Sequence, residues 1–126
     1  MLRFYEVVST SDVQRFDEVV SSDARLVIGT APGEWVTKRD QMRFGVETEG
    51  VRLTAGDNPQ GYEEGSMGWA VDEPVFGLPD GSEMRIRLTF VMHQEGGTWK
   101  ILHGHFSVGV PDEDVANLQR GWGTGP

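Results

Sequence analysis

His103 and His105 stand two apart near the end of the last long hydrophobic run, residues 99–108. Read with the strand period of two, Trp99, Ile101, His103, His105 and Ser107 share one face, and Lys100, Leu102, Gly104, Phe106 and Val108 share the other. Histidine changes charge near neutral pH, so two imidazoles facing a cavity could carry general acid–base chemistry. The competing reading has each ring satisfying a backbone or carboxylate partner at the strand end. Zinc would need a third protein ligand, and His93 falls on the opposite face, so no metal is expected. Asp72 and Glu73 are the nearest acids that could orient an imidazole, with Tyr5 or Tyr62 as a hydrogen-bond donor. Trp35, Trp69, Tyr62, Met67 and Phe90 could line an apolar pocket for a ring-shaped ligand, or simply pack the core.

These side chains need elements to hold them. Helical spacing is expected over residues 2–9, then over 13–21 behind a capping box, Ser11-x-x-Gln14. A third helix opens at Thr37-x-x-Asp40 and ends at Gly50. Strands are expected at 24–29, 51–56, 66–76, 83–94 and 98–108, with turns at Ala31-Pro32-Gly33-Glu34 and Asn58-Pro59-Gln60-Gly61. Residues 112–119 suggest a last helical turn with Val115, Leu118 and Trp122 as its stripe, before a frayed glycine-rich tail. Helices followed by strands give an α+β class: three N-terminal helices packed on a strongly curved antiparallel sheet.

Register sharpens the picture. A two-residue turn at Gly96-Gly97 sets Gln94 opposite Trp99, Met92 opposite Ile101, Phe90 opposite His103 and Leu88 opposite His105. Both imidazoles then face the helices. A tight turn at Asp80-Gly81 sets Val71 opposite Phe90 and Glu73 opposite Leu88, bringing Glu73 inward beside His105; a bulge before Pro74 would turn Asp72 inward instead. The outer face keeps Val91, Leu102, Phe106 and Val108, more apolar than solvent requires, which predicts a homodimer through that face. Arg85 and Arg87 could clamp an anion there, but pairing with acids on the outer face is the expected reading.

The chain has 126 residues, enough for one domain, and a net charge of −9 with no cysteine. That balance argues against nucleic acid or an anionic membrane as partner, because phosphate binding draws on clustered Lys and Arg. No apolar run approaches the ~20 residues that span a bilayer. The first residues do not read as a signal peptide, so a cytoplasmic protein is expected.

The order of elements and the ending Trp99-Lys100-Ile101-Leu102-His103-x-His105-x-Ser107 resemble the nuclear transport factor 2-like superfamily, most closely its SnoaL-like branch. Arg87-Leu88-Thr89 and the hairpin from Glu95 to Ile101 carry the same resemblance. It implies a cone-shaped, cystatin-like domain over residues 1–110, with 111–126 as an extension. It also implies a choice of functions, since members include ketosteroid isomerases, polyketide cyclases, dehydratases and binding or assembly domains without catalysis. In the isomerases a tyrosine of the first helix binds an oxyanion, where this chain has Tyr5. Their acidic base lies near the mouth, where this chain offers Glu34 and Asp40. The expected activity is binding of a small apolar or aromatic molecule in the cone, without a cofactor. The alternatives are an isomerase- or cyclase-like enzyme using His103 or His105, and a pure dimerisation module, which a filled cone would favour.

Overall fold

A computed structural model describes residues 1–30 and 33–122, apart from the side chain of Trp122. The turn expected at Ala31-Pro32 and the tail 123–126 lie outside the described residues. Helix α1 (Leu2–Ser9) buries Phe4, Tyr5, Val7 and Val8 and leaves Leu2 in solvent. The expected capping box does not form. Ser11 instead takes a left-handed φ of 51° and its hydroxyl reaches the Thr48 carbonyl. The second helix is therefore split into a 3-10 turn (Val13–Arg15) and a short α2 (Phe16–Val19). Helix α3 (Arg39–Glu47) turns Met42 and Val46 inward, and its first residue, Arg39, clamps α2 by bonding Asp17 and lying over the Phe16 ring at 5.1 Å.

The described residues form nine strands, in chain order β1 (Val27–Gly29), β2 (Trp35–Val36), both before α3, then β3 (Arg52–Thr54), β4 (Gln60–Glu64), β5 (Met67–Asp72), β6 (Val75–Gly77), β7 (Glu83–Arg85), β8 (Arg87–Glu95) and β9 (Thr98–Ser107). Six form one sheet in the order β2-β1-β9-β8-β5-β4; β3-β6-β7 form a second. The sheet is mixed rather than wholly antiparallel, because β1 lies parallel to β9. Two elements escape sequence patterning: β2 is only two residues long, and β4 is exposed at every position, so neither shows an apolar alternation. Residues 112–119 lengthen into a helix, α4 (Asp112–Trp122).

The Gly96-Gly97 turn forms as expected, with both glycines at positive φ (59° and 83°), as a type I′ hairpin demands. Gln94 pairs with Trp99 and Met92 with Ile101. Leu102 is then one residue too many. Val91 pairs with His103, Phe90 with Gly104, Thr89 with His105 and Leu88 with Phe106. This bulge moves every later β9 side chain to the opposite face. It places Gly104, not an imidazole, against the fully buried Phe90 ring, and it brings Phe106 edge-on to that ring at 6.0 Å. An unpartnered imidazole beside Phe90 would carry a desolvation cost that glycine avoids.

The second hairpin also differs by one residue. Gly77 pairs with Glu83, and the Leu78 amide donates to the Ser82 carbonyl, so the loop is Pro79-Asp80-Gly81, three residues with Gly81 at φ 89°. The longer loop pairs Asp72 with Leu88 and Ala70 with Phe90. Asp72 therefore faces inward and Glu73 outward, the reverse of the two-residue-turn register.

The inner layer is solid. Phe4 meets Phe90 edge-on at 5.2 Å, and Leu88, Ile101, Phe16 and Val20 close around them. A Cβ on Gly104 would lie 2.8 Å from the Phe90 ring, which has no free space to move into. Gly104→Ala is expected to lower unfolding free energy by about 1–3 kcal/mol, measured by urea titration.

Candidate functional site

The candidate residues fall on two opposite faces of the sheet, not around one cavity. On the inner face the Tyr5 hydroxyl donates to Asp72 Oδ2 at 2.9 Å, and the Gly56 amide donates to the same oxygen at 3.0 Å. Both side chains are buried, Tyr5 to 4% and Asp72 to 8% exposure. A side chain at Gly56 would run into the Glu73 carbonyl at 2.5 Å, so the amide approaches only because the residue is glycine. Burial, then the bond to Asp72 and its negative charge, push the Tyr5 phenol far above its usual range. The phenol is thus held protonated and its proton is committed to Asp72. The pair latches α1 to β5; Tyr5 has no free donor to offer a ligand.

His103 and His105 lie on the outer face, a correction to the inward register, and its cause is the Leu102 bulge. His103 Nδ1 donates to the Val27 carbonyl at 2.8 Å, fixing β1 against β9 and leaving Nε2 as the free ring nitrogen. His105 is exposed, and Gly29 beside it leaves room for its ring and that of Trp35: a Cβ there would sit 2.7 Å from His105 Nδ1 and 2.9 Å from the Trp35 ring. Glu73 is exposed and its side chain makes no described bond to either imidazole.

The proposed ligand-lining residues divide likewise. Phe90 is core, in contact with Phe4 and Phe106 rather than with a void. Trp69 pairs with Val91 and with Tyr62, and the Tyr62 and Trp69 rings stack 5.5 Å apart at 22°. Trp35, Tyr62, Trp69 and Met67 are 61, 49, 43 and 41% exposed. They form, with the two histidines and half-buried Val71 and Val91, a broad aromatic surface on the outside of the cone. Two open depressions lie elsewhere. One, about 440 Å³, sits between α1 and the β8–β9 hairpin against Phe4, Met92, Trp99 and Ile101. The other, about 460 Å³, is bordered by Asp72, Glu73, Arg85 and Arg87. Neither touches His103 or His105.

One polar cluster escaped sequence reasoning. Glu95 Oε2 lies 2.5 Å from His93 Nε2 and accepts from the Ser21 hydroxyl, which is itself 3.2 Å from that nitrogen. His93 and Glu95 are two apart on one strand face, and that spacing was the only signal available. Acid and hydroxyl meet the same ring nitrogen, so the trio lacks the opposed contacts of a Ser-His-acid relay. It ties the segment after α2 to the end of β8. The Ser21 hydroxyl first, and His93 second, hold the Glu95 carboxyl below its usual range.

A family model for the SnoaL-like domain matches residues 1–111, and the chain belongs to that family. Solved structures agree on the fold. A nuclear transport factor 2-like superfamily protein from Salmonella enterica shares 15% identity at a TM-score of 0.72, covering 87% of this chain and 86% of that one. A cystatin-like-fold protein from Caulobacter vibrioides shares 20% at 0.66, covering 93% and 89%. The association domain of C. elegans CaMKII shares 16% at 0.66, covering 82% and 85%. No curated protein matches the sequence. Among the described residues no helix is long and apolar enough to cross a membrane.

Tyr5→Phe leaves a buried carboxylate with one donor fewer and is expected to cost about 1–3 kcal/mol of stability. The sign with pH follows from the raised phenol. The folded state keeps a proton that the unfolded chain releases near pH ~10, so this contribution is complete below that pH and declines above it. Urea midpoints from pH 8 to 11 should fall more steeply for the native chain than for Tyr5→Phe.

Proposed function

We propose that this SnoaL-like domain is a self-association module whose two copies meet through the outer face of the six-stranded sheet. The observation that carries this reading is the exposed aromatic surface built on Trp69, Tyr62 and Trp35 while the inner face around Phe90 is filled. Exposed apolar patches of this extent mark interaction sites. Aromatic side chains are also enriched at the centres of protein interfaces.

Size and charge support the same reading. The six strands run from two residues (β2) to ten (β9), so at the usual rise and spacing the sheet face covers on the order of 550 Å². That is most of the ~800 Å² each partner contributes to a standard interface. A two-fold contact sets the patch against its own kind, so it must be self-compatible. In a chain of net charge −9, the centre of this face, Val71, Trp69, Val91, Thr89 and His103, carries no acid. The similarity to the CaMKII association domain, a fold likeness only, is compatible with such a role.

A second reading, a small apolar or aromatic ligand, is favoured by the depression of about 440 Å³ beside Phe4, Met92 and Trp99. A ligand there would shift Trp99 fluorescence, and Met92→Trp would block it without changing the mass of the assembly.

Sedimentation at micromolar concentration should give twice the 14.0 kDa chain mass. Trp69→Arg should weaken association at least tenfold while leaving the heat-unfolding midpoint of the monomer unchanged, because that side chain is not in the core. A native chain that sediments as a monomer, or a dimer indifferent to Trp69→Arg, would overturn the proposal.

A further inference from the structure

Helix α4 has no place in the domain that carries it. Among the described residues it makes no hydrogen bond to another element and packs extensively against none. Yet helices shorter than ~12–15 residues are marginal in water without tertiary packing, and α4 has eleven. Its stability calls for a surface that the single chain does not supply.

Two observations indicate which surface. The first is continuity. Val108, Val110 and Val115 are 56, 38 and 43% exposed, and Val115 shares a helix face with Leu118. They follow in the chain directly after β9, whose last residue, Ser107, pairs with Arg87 on the outer face of the sheet. The second is charge. The first turn of α4 carries Asp112, Glu113 and Asp114. The outer face of β8 and β9 carries Arg87 and Lys100, and its acid, Glu95, is already bonded to Ser21 and His93. An acidic amphipathic helix is complementary to this β8–β9 side of the face, while the acids Glu64 and Glu73 lie on its β4–β5 side.

We propose that α4 is an arm that seats along the border of the outer sheet face of a second copy of this chain. The inference rests on the association reading above and names a further element of that interface. Within one chain α4 leaves the face uncovered, as the exposure of Trp69 and Tyr62 shows. The four-residue connection from Val108 to Pro111 reaches about 13 Å, and facing sheets stand ~10 Å apart, so the arm can cross to the partner.

The test is the full-length double variant Val115→Asp/Leu118→Asp, with dimer dissociation followed by sedimentation over a concentration series. The expected result is at least tenfold weaker association with an unchanged unfolding midpoint at a dilution where both chains are monomers. Unchanged association would overturn the arm, and if Trp69→Arg still separates the copies, the association reading survives that failure. Tighter association would also overturn it, because α4 would then be covering its own face. A native chain that never associates would remove both proposals together.

Discussion

The pairing of β8 with β9 around one surplus residue, Leu102, governs the chemistry available to this molecule. A strand has two faces and a period of two, so one inserted residue reverses everything beyond it. Before the bulge, Ile101 and Trp99 pair as a plain hairpin would have them. Beyond it, Gly104 and Phe106 close the core over Phe90, while His103 and His105 are carried to the outside. The insertion exchanges an imidazole for a glycine at a place where the Phe90 ring leaves no room for a side chain.

A second one-residue shift acts at the other end of the cone. The three-residue loop Pro79-Asp80-Gly81 sets Asp72 inward, where Tyr5 and the Gly56 amide satisfy it. A buried carboxylate is tolerable only with such partners. Tyr5 and Asp72, each a candidate for acid–base or oxyanion chemistry by residue type, thus spend their polar groups on each other. The core between the sheet and α1 is correspondingly dense, and the molecule's distinctive surface is displaced to the convex side.

That displacement gives the SnoaL-like fold here an outward-looking character. The stacked Tyr62 and Trp69 and the Trp35–His105 neighbours across Gly29 are exposed there, and among the described residues α4 packs extensively against no other element. The polar ties nearby are internal: His103 to Val27, and His93 with Glu95 to Ser21. They tie β1 to β9 and the segment after α2 to the end of β8.

The amino-acid sequence alone determined the α+β class, the family resemblance, helix α1, the onset of α3 and the Gly96-Gly97 hairpin. These depend on local properties: apolar spacing along a few residues and the positive φ that glycine accepts. The apolar outer sheet face was legible only in part: Val91 lies there as expected, but the bulge at Leu102 turns Phe106 inward against Phe90. Only the tertiary structure decided which way His103, His105, Asp72 and Glu73 point, that β1 runs parallel to β9, and that Ser21 meets His93 and Glu95. The physical reason is parity. Side-chain direction in a strand depends on a single residue of loop or bulge, and the packing of Phe90 against Phe4, Gly104 and Phe106 settles that count, through contacts between residues far apart in the chain.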